Sequence, residues 1–267
     1  MSPRLLGLEP LGVPDAKGAA LVDVAADAGF DYVSMFAHVP LPGLEADPAV
    51  TDLDERRLMR ERLAATGVKL LNLECFNLTP EAQPSTFAAA LECGADLGAL
   101  TATAIVCENS DRSDALRKYR RACDMAAEHN IRVNVEFFAG CRSLPDMRET
   151  VAFVKEAQRR NSGVVLDILH LCRTSGGLAG LDGLDPELIG AVQLCDGPAT
   201  PPEDLGAEMV NRLLPGEGDF PILEILSHAP SDIVLGVEAP QTSLFGKVPA
   251  VERARAMRSA AGKLLHQ

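Results

Sequence analysis

The sequence predicts an α/β chain folded as a single (β/α)8 barrel. Three observations lead there. Short aliphatic or β-branched runs alternate with helix-like segments along nearly the whole chain. Eight such runs fit within 267 residues, the size and repeat of that barrel. Four of the later runs end on an oxygen-bearing side chain: Glu136 in IRVNVEFF, Asp167 in GVVLDILH, Gln193 in AVQLCDG and Glu238 in IVLGVEAP. Buried parallel strands deliver polar groups to the carboxyl end of a barrel in this way. An open doubly wound sheet would carry a glycine-rich phosphate-binding turn after its first strand, and none follows here. No linker or low-complexity stretch interrupts the pattern, so residues 1–267 are expected to form one domain.

The elements follow in order. Residues 5–10 (LLGLEP) read as the first strand, and 16–29 as a helix with apolar positions three and four apart. A strand over 31–36 leads into an extended loop, 37–50. An amphipathic helix over 52–67 closes at Gly67, and 68–78 form the third strand. A helix over 84–98 and a strand over 101–106 make the next step. The helix over 113–130 opens on Ser113 or Asp114 and runs into strand 131–138. A helix over 146–161 precedes the run 163–171. The glycine-rich stretch 172–190 predicts a short helix capped by Asp185 with Pro186 in its first turn. Residues 191–197 are the seventh run. A loop, a weak helical section and a further helix fill 198–226. The eighth strand spans 233–240, and a terminal helix 251–265.

Composition narrows the function classes. The apolar fraction of 47% supports a sizeable core, and only 4% aromatic residues with no Trp predict an aliphatic one, as barrel interiors often are. A net charge of −13 repels phosphate backbones and anionic lipid, so neither nucleic acid nor membrane is expected as a partner. No apolar run approaches the ~20 residues of a membrane span, and the amino terminus does not resemble a signal peptide. Seven cysteines (75, 93, 107, 123, 141, 172, 195) lie scattered without a CxxC pair. They predict reduced thiols in a cytoplasmic protein. Apolar helix faces leave room for a homodimer.

Chemistry concentrates at the strand ends. Three buried carboxylates cannot converge without a countercharge, because desolvation and mutual repulsion oppose it. A divalent metal ion supplies one. Asp167 lies 31 residues after Glu136, Gln193 another 26 on, and Glu238 another 45. Each interval holds one helix, so four consecutive strands would bring these groups to one side of the mouth.

Glu136 on strand five, D-x-x-H (Asp167, His170) on strand six, Gln193 followed by Asp196 on strand seven, and Glu238 on strand eight resemble the xylose-isomerase-like, sugar-phosphate isomerase/epimerase superfamily of TIM barrels. RLLPGEGDFPI (212–222) is similar to that family's turn after strand seven. The resemblance covers essentially the whole chain. It implies that Glu136, Asp167, Gln193 and Glu238 ligate metal, that His170 lies beside substrate, and that a proton moves next to a carbonyl. Glu136 and Glu238 match the two glutamates that bind metal and carry the proton in ketose epimerases.

The departure is Gln193, where the epimerases commonly have His. An all-oxygen site favours Mg2+ or Mn2+ over Zn2+, with Co2+ a further candidate. Glutamine there is similar to the 3-dehydroshikimate dehydratase branch. Two activities therefore stand side by side. One is isomerisation or epimerisation of a small sugar, cyclitol or related hydroxy-ketone. The other is dehydration of a 3-dehydroshikimate or keto-inositol type of substrate. An abasic-site endonuclease would need more histidines than the five present.

Each remaining candidate has a plainer alternative. His170 is either a core histidine or a proton carrier of near-neutral pKa. Arg212 and Arg173 are expected to clamp substrate or to form rim salt bridges. Glu74 and Glu9 close strand-like runs and could accept substrate hydroxyls. His38 follows strand two, facing the mouth or solvent. Asp196 is expected to orient His170 or Arg173, with Cys195 as packing.

Overall fold

The computed structural model describes residues 4–38, 44–106, 111–138 and 140–266. Strands and helices alternate: β1 (Leu6–Leu8), α1 (Gly18–Ala28), β2 (Tyr32–Phe36), α2 (Leu53–Thr66), β3 (Lys69–Asn77), α3 (Ala88–Leu97), β4 (Thr101–Ile105), α4 (Arg112–Ala127), β5 (Arg132–Glu136), α5 (Met147–Ala157), β6 (Ser162–Asp167), α6 (Ile168–Arg173), β7 (Ile189–Leu194), α7 (Leu205–Met209), α8 (Ile222–Leu226), β8 (Leu235–Val237) and α9 (Ala250–Leu265). All strand pairs are parallel, and β8 returns to β1 through Leu6↔Leu235, Gly7↔Gly236 and Leu8↔Val237. The barrel is closed. Among the described residues no helix is long and apolar enough to cross a membrane.

Local chemistry sets the boundaries. Asp52 accepts the Asp54 and Glu55 N–H groups at the start of α2, and Gly67, at φ 78°, ends it in the left-handed region. Helix α4 starts earlier than its sequence suggests, because Asp111 rather than Ser113 or Asp114 caps it, accepting from Asp114 N–H. The segment after Gly183 forms a single 3-10 turn, Pro186–Leu188, under the Asp185 cap instead of a helix. Residues 163–171 are not one strand. β6 ends at Asp167, whose Oδ1 accepts the His170 N–H at 3.0 Å and starts α6.

The aliphatic core lies between barrel and helices, not inside the barrel as composition suggests. Strand alternation explains this. Val133 and Val135 of β5 are buried on one face, while Asn134 and Glu136 take the other. The interior is polar. Asn134 Oδ1 fills the space that a Cβ on Gly163 or Gly190 would need, approaching those positions to 2.4 and 2.0 Å. Higher up, Glu9 Oε1 stands 2.0 Å from the corresponding position at Gly236. These strand glycines mark close approach of an interior side chain.

Candidate metal centre

Four neighbouring strand ends build the site. Glu136 and Asp167 are the last residues of β5 and β6, and Gln193 is the penultimate residue of β7. Asp167 pairs in register with Gln193, and Gln193 with Gly236 of β8. Glu238 follows β8 directly, its N–H donating to Leu194 O at 3.0 Å. Glu9 and Glu74 add two further carboxylates from β1 and β3. All five acids are at most 8% exposed, so water screens them little.

Gln193 links the two halves of the ring. Its Nε2 donates to Glu74 Oε1 at 3.4 Å, across the barrel. The same oxygen accepts from Asn72 Nδ2 at 2.5 Å and Thr103 Oγ1 at 3.1 Å. With its nitrogen turned toward Glu74, Gln193 leaves Oε1 buried without a hydrogen-bond partner. A buried amide oxygen in that condition fits a cation.

His170 reaches the cluster from α6. Its Nε2 lies 3.9 Å from Glu136 Oε1 and 3.8 Å from Asp167 Oδ2. Glu136, Asp167 and His170 each offer a ligand atom within 4.8 Å of the others. Arg212 enters from the segment after α7. Its Nη1 donates to Asp167 Oδ2 at 2.7 Å and lies 3.0 Å from Glu238 Oε2.

Electrostatics follow from this crowding. Burial, then repulsion from neighbouring carboxylates, pushes Glu9 and Glu136 well above the ordinary carboxylate range. Burial and Glu238 raise Glu74 to about 8. Glu238 is raised by burial to about 7, Arg212 opposing the rise. Burial pushes Asp167 up as well, but Arg212 and His170 outweigh it and its pKa falls below the ordinary value. His170 is lowered by burial to about 4, Asp167 only partly compensating. It is therefore neutral near pH 7, and its nearby carboxylates are not ion-pair partners there. Without a cation, most of these acids hold their protons near pH 7. A hard divalent cation would displace those protons, and the oxygens of Glu136, Asp167, Gln193 and Glu238 suit one.

The other sequence candidates are engaged by partners of their own. Arg173 is held by both oxygens of Glu208, at 2.7 and 2.6 Å, donates to Pro198 O and stacks on Phe220. It makes a buried ion pair. Asp196 accepts four backbone N–H groups, from Gly197, Gly216, Gly218 and Phe220. Those bonds fold the PGEG turn and engage neither His170 nor Arg173. His38 donates its backbone N–H to Glu74 O and sets its ring edge-on to Phe87. Asn72 and Thr103 hold Glu74 and are not among the residues that the strand-end pattern points to. For Asn72 the signal is a repeat, since Asn72-Leu73-Glu74 and Asn134-Val135-Glu136 both place Asn one layer beneath Glu on the same strand face; Thr103 carries no such signal.

A family model described as a xylose isomerase-like TIM barrel matches residues 22–262. The chain belongs to that family. A 3-dehydroshikimate dehydratase of Pseudomonas aeruginosa is 27% identical over 226 residues, which cover 77% of this chain and 33% of the relative. The chain thus spans about a third of that protein's length. Two solved structures align over nearly all of both chains. An IolI protein with a bound zinc atom has a TM-score of 0.81 at 18% identity, covering 98% of each chain. A D-psicose 3-epimerase in the presence of D-fructose has a TM-score of 0.74 at 18% identity, covering 97% of each. At such identities these structures share the xylose isomerase-like barrel and establish no more than that. Enzymes are common to the set, with epimerase and dehydratase both represented.

Proposed function

We propose that this protein is a divalent-metal-dependent enzyme that moves a proton next to the carbonyl of a small, uncharged polyhydroxy ketone, isomerising or epimerising it. Glu136, Asp167, Gln193 and Glu238 would hold the cation, Mg2+ or Mn2+ by their all-oxygen chemistry. When bound, the cation supplies Lewis-acid polarisation of the carbonyl, which acidifies the adjacent C–H.

The chain supplies the rest. Glu136 and Glu238 close the two outer strands of the four that carry the ligands, so a substrate between them meets a carboxylate on either side. One removes the proton and the other returns it. His170, neutral and buried beside Glu136, can pass a proton to a substrate oxygen. Glu74 and Glu9 line the opposite half as acceptors for hydroxyl groups. The observation that carries this reading is Gln193 Oε1, buried and unpartnered within a ring of carboxylates.

The same ring bears on the substrate. Arg212 already faces Asp167 and Glu238, so its charge is engaged before a substrate phosphate or carboxylate could claim it. A second reading, dehydration of a 3-dehydroshikimate-type acid, draws on Gln193 and on the curated relative. The two separate in one experiment. The protein with added Mn2+ is incubated in deuterated water with neutral ketoses, keto-inositols and 3-dehydroshikimate. Deuterium at the carbon next to the carbonyl of a neutral ketone is expected. Loss of water from 3-dehydroshikimate would favour the second reading. No exchange or elimination with any of them would overturn both.

A further inference from the structure

We propose that Arg212 tunes the affinity of the site for its divalent cation, by sharing the oxygen atoms the cation would take. The inference rests on the metal site proposed above. Asp167 Oδ1 accepts the His170 N–H that starts α6, and Oδ2 is the oxygen that faces the cluster. That second oxygen accepts from Arg212 Nη1 at 2.7 Å. The same nitrogen lies 3.0 Å from Glu238 Oε2. A single guanidinium nitrogen thus bridges two of the four candidate ligands.

Arg212 is not free to leave when a cation arrives. It is 3% exposed, and its Nε donates to Met209 O at 3.0 Å. Its backbone N–H donates to Pro240 O at 2.8 Å. On either side, Asn211 bridges to Gln241 and Leu213 to Asp196. The guanidinium and a divalent ion would therefore sit against the same pair of carboxylates. Like charges a few ångströms apart in a poorly screened site repel strongly. Arg212 holds Asp167 and Glu238 together after the cation is stripped, and weakens the cation's hold while it is bound. It is a positioning residue with a thermodynamic role in metal exchange.

The test compares Mn2+ binding to the parent, Arg212→Met and Arg212→Lys by calorimetry. Arg212→Met keeps length and removes charge, so Mn2+ should bind about tenfold tighter or more. Arg212→Lys keeps the charge and should stay within about threefold of the parent. If Arg212→Met is recovered only with metal, the same comparison is made by Mn2+ release into excess chelator, which should be about tenfold slower than from the parent. Binding by Arg212→Met that is equal to or weaker than the parent's, or release that is as fast, would overturn the inference and leave the metal site standing. A parent that binds no Mn2+ would remove both.

Discussion

Asp167 uses its two oxygens for different purposes, and that division organises the site. Oδ1 accepts a backbone N–H and Oδ2 faces the cluster, so the residue is at once a helix cap and a candidate ligand. Gln193 is divided in the same way. Its nitrogen faces Glu74 and its oxygen is left over. Gln193→His would replace that hard oxygen with an imidazole nitrogen. Competition between Zn2+ and Mn2+, followed by calorimetry, should then shift toward Zn2+ relative to the parent. An unchanged ratio would mean that Gln193 does not touch the cation. Gly236 makes a complementary prediction. A methyl group there would meet Glu9 Oε1 at 2.0 Å and force the carboxylate out of its place. Gly236→Ala should cost about 1–3 kcal/mol in urea denaturation, whereas an open site would tolerate the change.

At the scale of elements, short strands carry the chemistry and short helices seat it. The alternation of strands and helices was legible because apolar periodicity distinguishes them over most of the chain. The strand-end acids were legible too, since an acid closing an aliphatic run needs a reason. The break of 163–171 into β6 and α6 was not. Ile168, Leu169 and Leu171 are apolar in either state, and only the Asp167 cap decides where the helix begins. That cap can be separated from the charge. Asp167→Asn keeps an acceptor for the His170 N–H, while Asp167→Ala removes it. Thermal denaturation with the metal stripped should place Asp167→Ala about 1 kcal/mol below Asp167→Asn. Equal stabilities would remove the cap from the account. The fates of Asp196 and Arg173 were equally hidden. Their partners, the amides of residues 216–220 and Glu208, are distant in sequence and come close only when the segment after β7 folds back.

For the whole molecule, the polar barrel interior couples stability to pH and to metal. In the folded chain Glu74 and Glu238 hold protons up to about pH 8 and 7, and Glu9 and Glu136 are raised as well. The unfolded chain releases those protons near the ordinary value of 4.5. Each therefore stabilises less as pH rises through its folded pKa. His170 acts in the opposite sense, but only between about 4 and 6.5, where the unfolded imidazole binds a proton that the buried ring refuses. Between pH 6.5 and 8 the carboxyls act without that opposition. The Tm of chelator-treated protein should fall across this interval, and saturating Mn2+ should flatten or reverse the slope, because metal binding displaces the same protons. A flat profile without metal would contradict the buried, protonated acids. The four strand-end oxygens as a cation site are tested most directly by Mn2+ calorimetry on the parent and Asp167→Asn. The expected result is one ion per chain in the parent and at least about tenfold weaker binding in Asp167→Asn. A parent that binds no ion, or an Asp167→Asn protein that binds it as tightly as the parent, would contradict the site.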